Sequence, residues 1–258
     1  MTLDPSSCQR SIGLPAAKVP RSSFTVVAVR NCLFSTITVS APSLERSAAN
    51  GIDVFRIFDA INDVRNLQVS IDAVKKAGKH AQGTICYTTS PVHGIPQFVT
   101  MAKTLEDLGC DSIAIKDMAG LLTPYATAEL FDQLSKTVKT PIHLHSHATA
   151  GLADLCQLKA IENGCRHIDT AISSFANGAS HPPTESMVAA FRNTDYDTGL
   201  DLELIQEIGA YFYVVRKKYH QFESEFTGID TRVQINQVPG GMISNLSSQL
   251  KEQGATER

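Results

Sequence analysis

Three histidines alternate in one short run, His143-Leu144-His145-Ser146-His147. On an extended strand the side chains at i, i+2 and i+4 share a face, so all three imidazoles would point the same way. Imidazole is a common ligand for divalent transition metals. His145 and His147, nearer the end of the run, are the candidate metal ligands, and His143 would lie a layer deeper. The competing reading is a set of hydrogen-bonded core histidines. Lys116 closes a second run, Ser112-Ile113-Ala114-Ile115-Lys116. Alternation places it on the side of Ala114, opposite the two isoleucines. A free ammonium facing the core of an α/β protein is costly. Lys116 must therefore be paired, uncharged or modified. Pairing would use Asp117, Asp59 or Asp169. A neutral amine can instead take up CO₂ to give an anionic carbamate, which binds metals.

Two loops hold further polar candidates. In Gln237-Val238-Pro239-Gly240-Gly241-Met242-Ile243-Ser244-Asn245 the paired glycines allow close backbone approach, and Ser244 is placed to cap a following helix. In Gly178 to Pro183, His181 reads equally as a surface residue or a site residue. The chain has no GxGxxG after a strand, no Walker-type phosphate loop, no GxSxG elbow and no HExxH. Nucleotide hydrolysis, a hydrolase triad and zinc-protease chemistry lack their motifs.

The elements that must position these residues recur from about residue 50 onward. Strand-like segments at 52–58, 81–87, 112–116, 141–147 and 167–173 alternate with amphipathic segments at 64–77, 96–108, 123–138, 152–163 and 184–192. Helix ends are marked by Gly78, Gly109 and Gly164, and one helix start by Pro124. Strand starts about 30 residues apart fit strand-plus-crossover units and a parallel sheet. An open doubly wound sheet and a closed (β/α)₈ barrel both place Asp59, Lys116 and His147 at the ligand-binding rim. A full barrel takes about 250 residues, and only five units are clear here. Residues 24–29 and 32–39 could add two strands, while 200–219 and 245–253 read as helices. The expected fold is thus α/β, an incomplete (β/α)₈ barrel followed by C-terminal helices.

Composition narrows the function classes. The chain has 258 residues, 43% hydrophobic and 19% charged, with 23 Lys+Arg against 26 Asp+Glu and a net charge of -3. Such a balance supplies no basic stripe for nucleic acid and no polybasic membrane patch. No apolar run reaches the roughly 20 residues of a membrane span. The opening residues lack a signal-peptide layout, and the six cysteines form no CxxC pair. A cytoplasmic protein with reduced thiols is expected.

Four segments resemble a known family: GIDVFRIFDAINDVRN (51–66), SIAIKDMAGLLTP (112–124), PIHLHSHATAGL (141–152) and VPGGMISNL (238–246). They look like the carboxyltransferase domain of biotin-dependent enzymes, a family that includes pyruvate carboxylase, transcarboxylase and the α subunit of sodium-pumping oxaloacetate decarboxylase. SHATAGLADLCQLKAIENG and PTESMVAA are most similar to the last of these. The resemblance runs from about Leu44 to the end. It implies a (β/α)₈ barrel, a divalent metal (Zn, Co or Mn) held by His145, His147 and a carboxylated Lys116, and biotin borne on a separate domain or subunit. The implied reaction moves a carboxyl group from oxaloacetate to biotin and releases pyruvate through a metal-stabilised enolate. Ser244 matches the hydroxyl that relays a proton between biotin and enolate, a position where pyruvate carboxylases usually have Thr. Lys116 and Ser244 are thus the implied catalytic residues. The implied partners are oxaloacetate or pyruvate, a biotin carrier domain, membrane decarboxylase subunits that would hold the protein at the inner membrane, and further copies of the chain.

The family's RDAHQS-like and RGQN-like motifs, which supply a metal-ligating Asp and a carboxylate-binding Arg, have no counterpart in residues 1–50; Arg30-Asn31 comes nearest to the second. Residues 1–43 are therefore read as an atypical segment, disordered or replaced, as after a frame change. Residues 44–197 form the partial barrel, and 198–258 a truncated helical part. Translation of the upstream DNA in the other frames should reveal both motifs. The alternatives are a non-catalytic remnant that keeps a partner-binding surface, and a metal-dependent acyl-CoA lyase or condensing barrel.

Overall fold

The computed structural model describes residues 23–27, 41–223 and 228–253. Six parallel strands form one sheet in strictly sequential order: β1 (Ser23–Val27), β2 (Val54–Phe58), β3 (His80–Cys86), β4 (Ser112–Asp117), β5 (Ile142–Ser146) and β6 (His167–Ile168). The intervening helices are α1 (Ala41–Ala49), α2 (Val64–Lys76), α3 (Ile95–Asp107), α4 (Pro124–Thr137) and α5 (Ala153–Glu162). A doubly wound sheet reverses its strand order at a switch point. This one never does, which decides for the barrel-type winding. The sheet is open among the described residues, with β1 at one edge and β6 at the other.

Sheet register explains which face does what. Arg56 stands opposite Gln82, Cys86 opposite Lys116 and Lys116 opposite His145, so every side chain of this set lies on one face. The other face carries Phe55, Ile57, Ala81, Ile85, Ile113, Ile115, Ile142 and Leu144, all buried. These pack with Leu67, Ile71 and Val74 of α2, Phe98 and Leu105 of α3, and Leu130, Phe131 and Leu134 of α4 in one continuous core. The apolar core thus lies between sheet and helices, and the polar face is left for chemistry. Gly83 belongs to the crowded side: a Cβ there would meet Cys110 Sγ at 2.7 Å and Leu105 at 3.2 Å.

The C-terminal part consists of α6 (Thr184–Phe191), α7 (Leu202–Lys217), the short α8 (Val233–Asn236) and α9 (Gly240–Glu252). None of the described helices is long and apolar enough to cross a membrane. Strands and helices fall within a few residues of the sequence reading, with two corrections. The fifth expected strand, 167–173, pairs only at His167–Ile168, because Ser173–Phe175 turns into a 3₁₀ helix. The last helix begins at Gly240 instead of 245, so Ser244 is its fifth residue and not its cap. Pro239 O accepts from Met242 N and turns the chain into the helix there. The expected strand at 24–29 is β1, which pairs in register with β2, whereas that at 32–39 lies outside the described residues.

The packing around Gly83 and the anchoring of α3 can each be tested. Gly83→Ala is expected to cost about 1–3 kcal/mol by overpacking, and the double variant Gly83→Ala/Cys110→Ala should recover most of it in denaturant titrations. Glu106, at the end of α3, accepts from Lys103 Nζ and from Lys139 N, Thr140 N and Thr140 Oγ1, which ties α3 to the turn before β5. The Lys103 ammonium first, then the Thr140 and Lys139 donors, hold its carboxyl down to about 2. Its contribution is therefore complete above the ordinary glutamate range near pH 4.5 and is lost as pH falls towards 2. Glu106→Gln should lower Tm at pH 7, and the gap to wild type should narrow as pH drops through that window.

Candidate metal centre

The strand ends bring three imidazoles together. His145 is on β5, His147 follows it, and His181 comes from the loop between β6 and α6. One ring nitrogen from each lies within 4.8 Å of the others. His145 Nε2 is 3.2 Å from His147 Nε2 and 3.1 Å from Lys116 Nζ. Ring centroids of His181 stand 4.3 Å from His145 and 4.7 Å from His147. The structure therefore gathers Lys116, His145 and His147, as the alternating pattern predicts, and adds His181. The sequence leaves His181 open between surface and site, because a loop residue has no period to fix its direction.

Each imidazole is oriented through its other nitrogen. His145 Nδ1 lies 2.6 Å from Asp169 Oδ2, His147 Nδ1 2.6 Å from the Ala179 carbonyl, and His181 Nδ1 2.8 Å from the Ser146 carbonyl. An oxygen acceptor at Nδ1 calls for a proton there, which leaves Nε2 as a bare lone pair. Burial pushes His145 down to about 3 and His147 down to about 4, so both rings are neutral at neutral pH. Two lone pairs facing each other at 3.2 Å repel unless a cation lies between them. Two nitrogens bound to one tetrahedral ion at 2.0–2.1 Å would be roughly 3.3 Å apart. The donor set fits a divalent ion on both counts.

Lys116 is buried, with its Nζ 5.1 Å from the centre of the Phe58 ring. Among the described residues it forms no ion pair with Asp117, Asp59 or Asp169; each of these carboxylates is engaged elsewhere. Asp117 is fully buried and accepts from Leu121 N and Leu122 N at 2.8 and 2.9 Å, which folds the turn after β4. Asp59 accepts from Asp63 N. Asp169 is bound to Arg56, His143 and His145. Burial first, then the nearby Arg56 cation, lowers the Lys116 pKa and favours the neutral amine. Gly120, at φ +74, completes the rim: a Cβ there would stand 2.9 Å from the His147 carbonyl, so the turn after β4 can approach β5 only with glycine.

One layer below, Arg56 on β2 donates to Gln82 Oε1 and to Asp169 Oδ2, both at 2.5 Å. His143 Nε2 meets Asp169 Oδ1 at 2.6 Å, which places His143 behind the ligands as the alternation implies. Burial alone would raise the Asp169 pKa, but hydrogen bonds from His143, His145 and Arg56 hold the carboxyl far below the usual range. The sequence reading offers Asp169 only as a partner for Lys116 and misses Arg56. A signal for it exists: Arg56 is a charge at the centre of Val54-Phe55-Arg56-Ile57-Phe58, flanked by apolar residues of the other face.

Ser244 falls within α9, but its side chain lies outside the described residues. The start of that helix sits at the same rim. A Cβ on Gly240 would stand 3.2 Å from Ala179 Cβ and from Thr149 Oγ1, beside the loop that anchors His147. Gln234 Nε2 donates to the Gly120 carbonyl at 2.7 Å and Asp230 N to the Thr149 carbonyl at 2.8 Å, fastening the C-terminal segment over the strand ends.

Comparison with known proteins agrees with this architecture. The HMGL-like family matches residues 44–211. A pyruvate carboxylase subunit of Methanocaldococcus jannaschii is 59% identical over 210 residues, covering 81% of this chain and 37% of that protein. The methylmalonyl-CoA carboxyltransferase 5S subunit of Propionibacterium freudenreichii subsp. shermanii is 49% identical over 217 residues, covering 83% and 43%. Among solved structures, the carboxyl transferase domain of Rhizobium etli pyruvate carboxylase with pyruvate and biocytin superposes with a TM-score of 0.80 at 37% identity, over 83% of this chain and 37% of that one. The chain therefore spans less than half the length of these relatives. It belongs to the HMGL-like family, and within that family its kin are the carboxyltransferase domains of biotin-dependent carboxylases.

Proposed function

We propose that this chain binds a divalent metal through His145, His147 and Lys116, and there transfers a carboxyl group between oxaloacetate and biotin carried on a separate domain or subunit. The observation that carries the reading is the His145 and His147 Nε2 atoms standing 3.2 Å apart, with each ring fixed from behind by an oxygen at Nδ1. A divalent ion held by these residues would supply Lewis-acid chemistry to a keto-acid substrate. Lys116, favoured as a neutral amine by its burial, can take up CO₂ and offer an anionic oxygen beside His145. Asp169 and Arg56 hold the His145 ring so that its Nε2 stays aimed at the rim. Ser244, near the start of α9, would relay the proton between the biotin nitrogen and the pyruvate methyl carbon. Pyruvate and biocytin, present in the solved relative, are the matching small ligands. Oxaloacetate decarboxylation in company with membrane subunits is the finer form of the proposal. It rests on the likeness of SHATAGLADLCQLKAIENG and PTESMVAA.

Elemental analysis of the purified full chain should find about one divalent metal per chain, reduced strongly in His145→Ala and Lys116→Ala. Metal that persists undiminished in both variants would refute the site. Ser244→Ala should keep its metal but lose about 10²–10⁴-fold in carboxyl transfer to biocytin, the range for a removed proton-transfer group. Full transfer by that variant would remove Ser244 from the mechanism. A chain that binds metal yet exchanges no pyruvate methyl protons would be a non-catalytic remnant.

A further inference from the structure

The loop that follows β6 is built around the strand end in a reciprocal way. Ala179 O receives the His147 ring, Ser180 O accepts from Ala148 N at 2.7 Å, and the His181 ring reaches back to Ser146 O. The loop is closed on itself by Asn177 N to His181 O at 2.8 Å and Ser180 N to Asn177 O at 2.9 Å, with Asn177 at φ +67. Asn takes that left-handed conformation more readily than other non-glycine residues, which suits a tight turn. The turn and its three links to β5 set the His181 ring beside those of His145 and His147.

We propose that His181 is a third imidazole ligand of the metal centre, binding through Nε2 beside His145 and His147. The proposal rests on the metal reading above and extends it to a residue that reading does not use. Three observations support it. His181 commits Nδ1 to a backbone carbonyl, as His147 does, and this leaves Nε2 as the nitrogen available to a metal. Its ring packs against both partner rings, at centroid distances of 4.3 and 4.7 Å. Its nitrogen belongs to the one group of three His, Cys, Asp or Glu ligand atoms found close together among the described residues. A packing histidine needs none of these: a single hydrogen bond would satisfy it, with no call for a ring nitrogen within 4.8 Å of two others. The chemical consequence is a centre with three imidazole nitrogens beside the Lys116 position, a donor set that favours zinc or cobalt over magnesium or calcium.

Cobalt(II) added to the metal-stripped full chain tests this by affinity and visible absorption. His181→Ala should weaken Co(II) binding by at least about 10- to 100-fold, the loss known even for groups that only support a ligand, and shift the d–d bands. His181→Cys should restore binding and create a near-ultraviolet sulfur-to-cobalt charge-transfer band, which a merely structural role could not produce. That second variant decides the matter if His181→Ala does not fold. Unchanged affinity and spectrum in His181→Ala, or a folded His181→Cys without the new band, would overturn the inference while leaving the two-histidine site intact. Unchanged binding in His145→Ala would instead overturn the underlying site, so the two failures are distinguishable.

Discussion

One partly buried carboxylate organises the polar side of this sheet. Asp169 receives Arg56, His143 and His145 at 2.5–2.6 Å, from strands as distant in sequence as β2 and β5. An unpaired charge in such a place would be prohibitive, and even a paired one must recover its lost hydration through several hydrogen bonds. Asp169 does so with three charge-assisted or aromatic donors. The arrangement also sets a direction: Asp169 at Nδ1 favours a proton on that nitrogen and so favours Nε2 of His145 as the acceptor at the rim. Removing Asp169 would leave Arg56 without its anion and His145 free to turn.

Neutrality at the rim follows from the same constraint. Arg56 and Asp169 cancel as a pair, so the layer above sees little net charge from beneath. Burial then keeps the rings of His145 and His147 unprotonated and favours the amine form of Lys116. Close-set ring nitrogens on neutral groups offer their lone pairs to a small cation. Gly120 lets the turn after β4 approach the backbone of β5 just beyond the cluster, where a Cβ would stand 2.9 Å from the His147 carbonyl.

Much of this is legible in the sequence because a strand has an exact period of two. Ile113 and Ile115 opposite Lys116, and Leu144 between His143 and His145, state which side faces the helices and which faces the site. Element boundaries are also readable where physical punctuation exists: Thr123 caps α4 and Pro124 begins it, as Pro124 signals. What escapes is carried by loops. His181 gives no periodic signal, and its role depends on a turn closed by Asn177 and Ser180. The expected fifth strand is too long because β-branched composition at 168–172 does not reveal that the chain leaves the sheet after Ile168. The expected start of α9 is too late because paired glycines read as a loop, whereas here they begin a helix.

Arg56 shows why a charge should be weighed by its neighbours before it is assigned to a surface. Its neighbours Phe55 and Ile57 are fully buried on the helix side, so Arg56 faces the inner side of the sheet, where its side chain is only 14% exposed. There it is satisfied by Gln82 on β3 and by Asp169 just after β6, and a parallel sheet of sequential strands curls to bring that position within reach of β2. The ion pair between Arg56 and Asp169 is thus a consequence of curvature: a flat sheet of the same order would hold these strands about four interstrand spacings apart, roughly 19 Å at 4.7–4.9 Å each. At 2.5 Å the pair measures how far the sheet has already bent towards a cylinder, and it ties the electrostatics of the site to the winding of the fold.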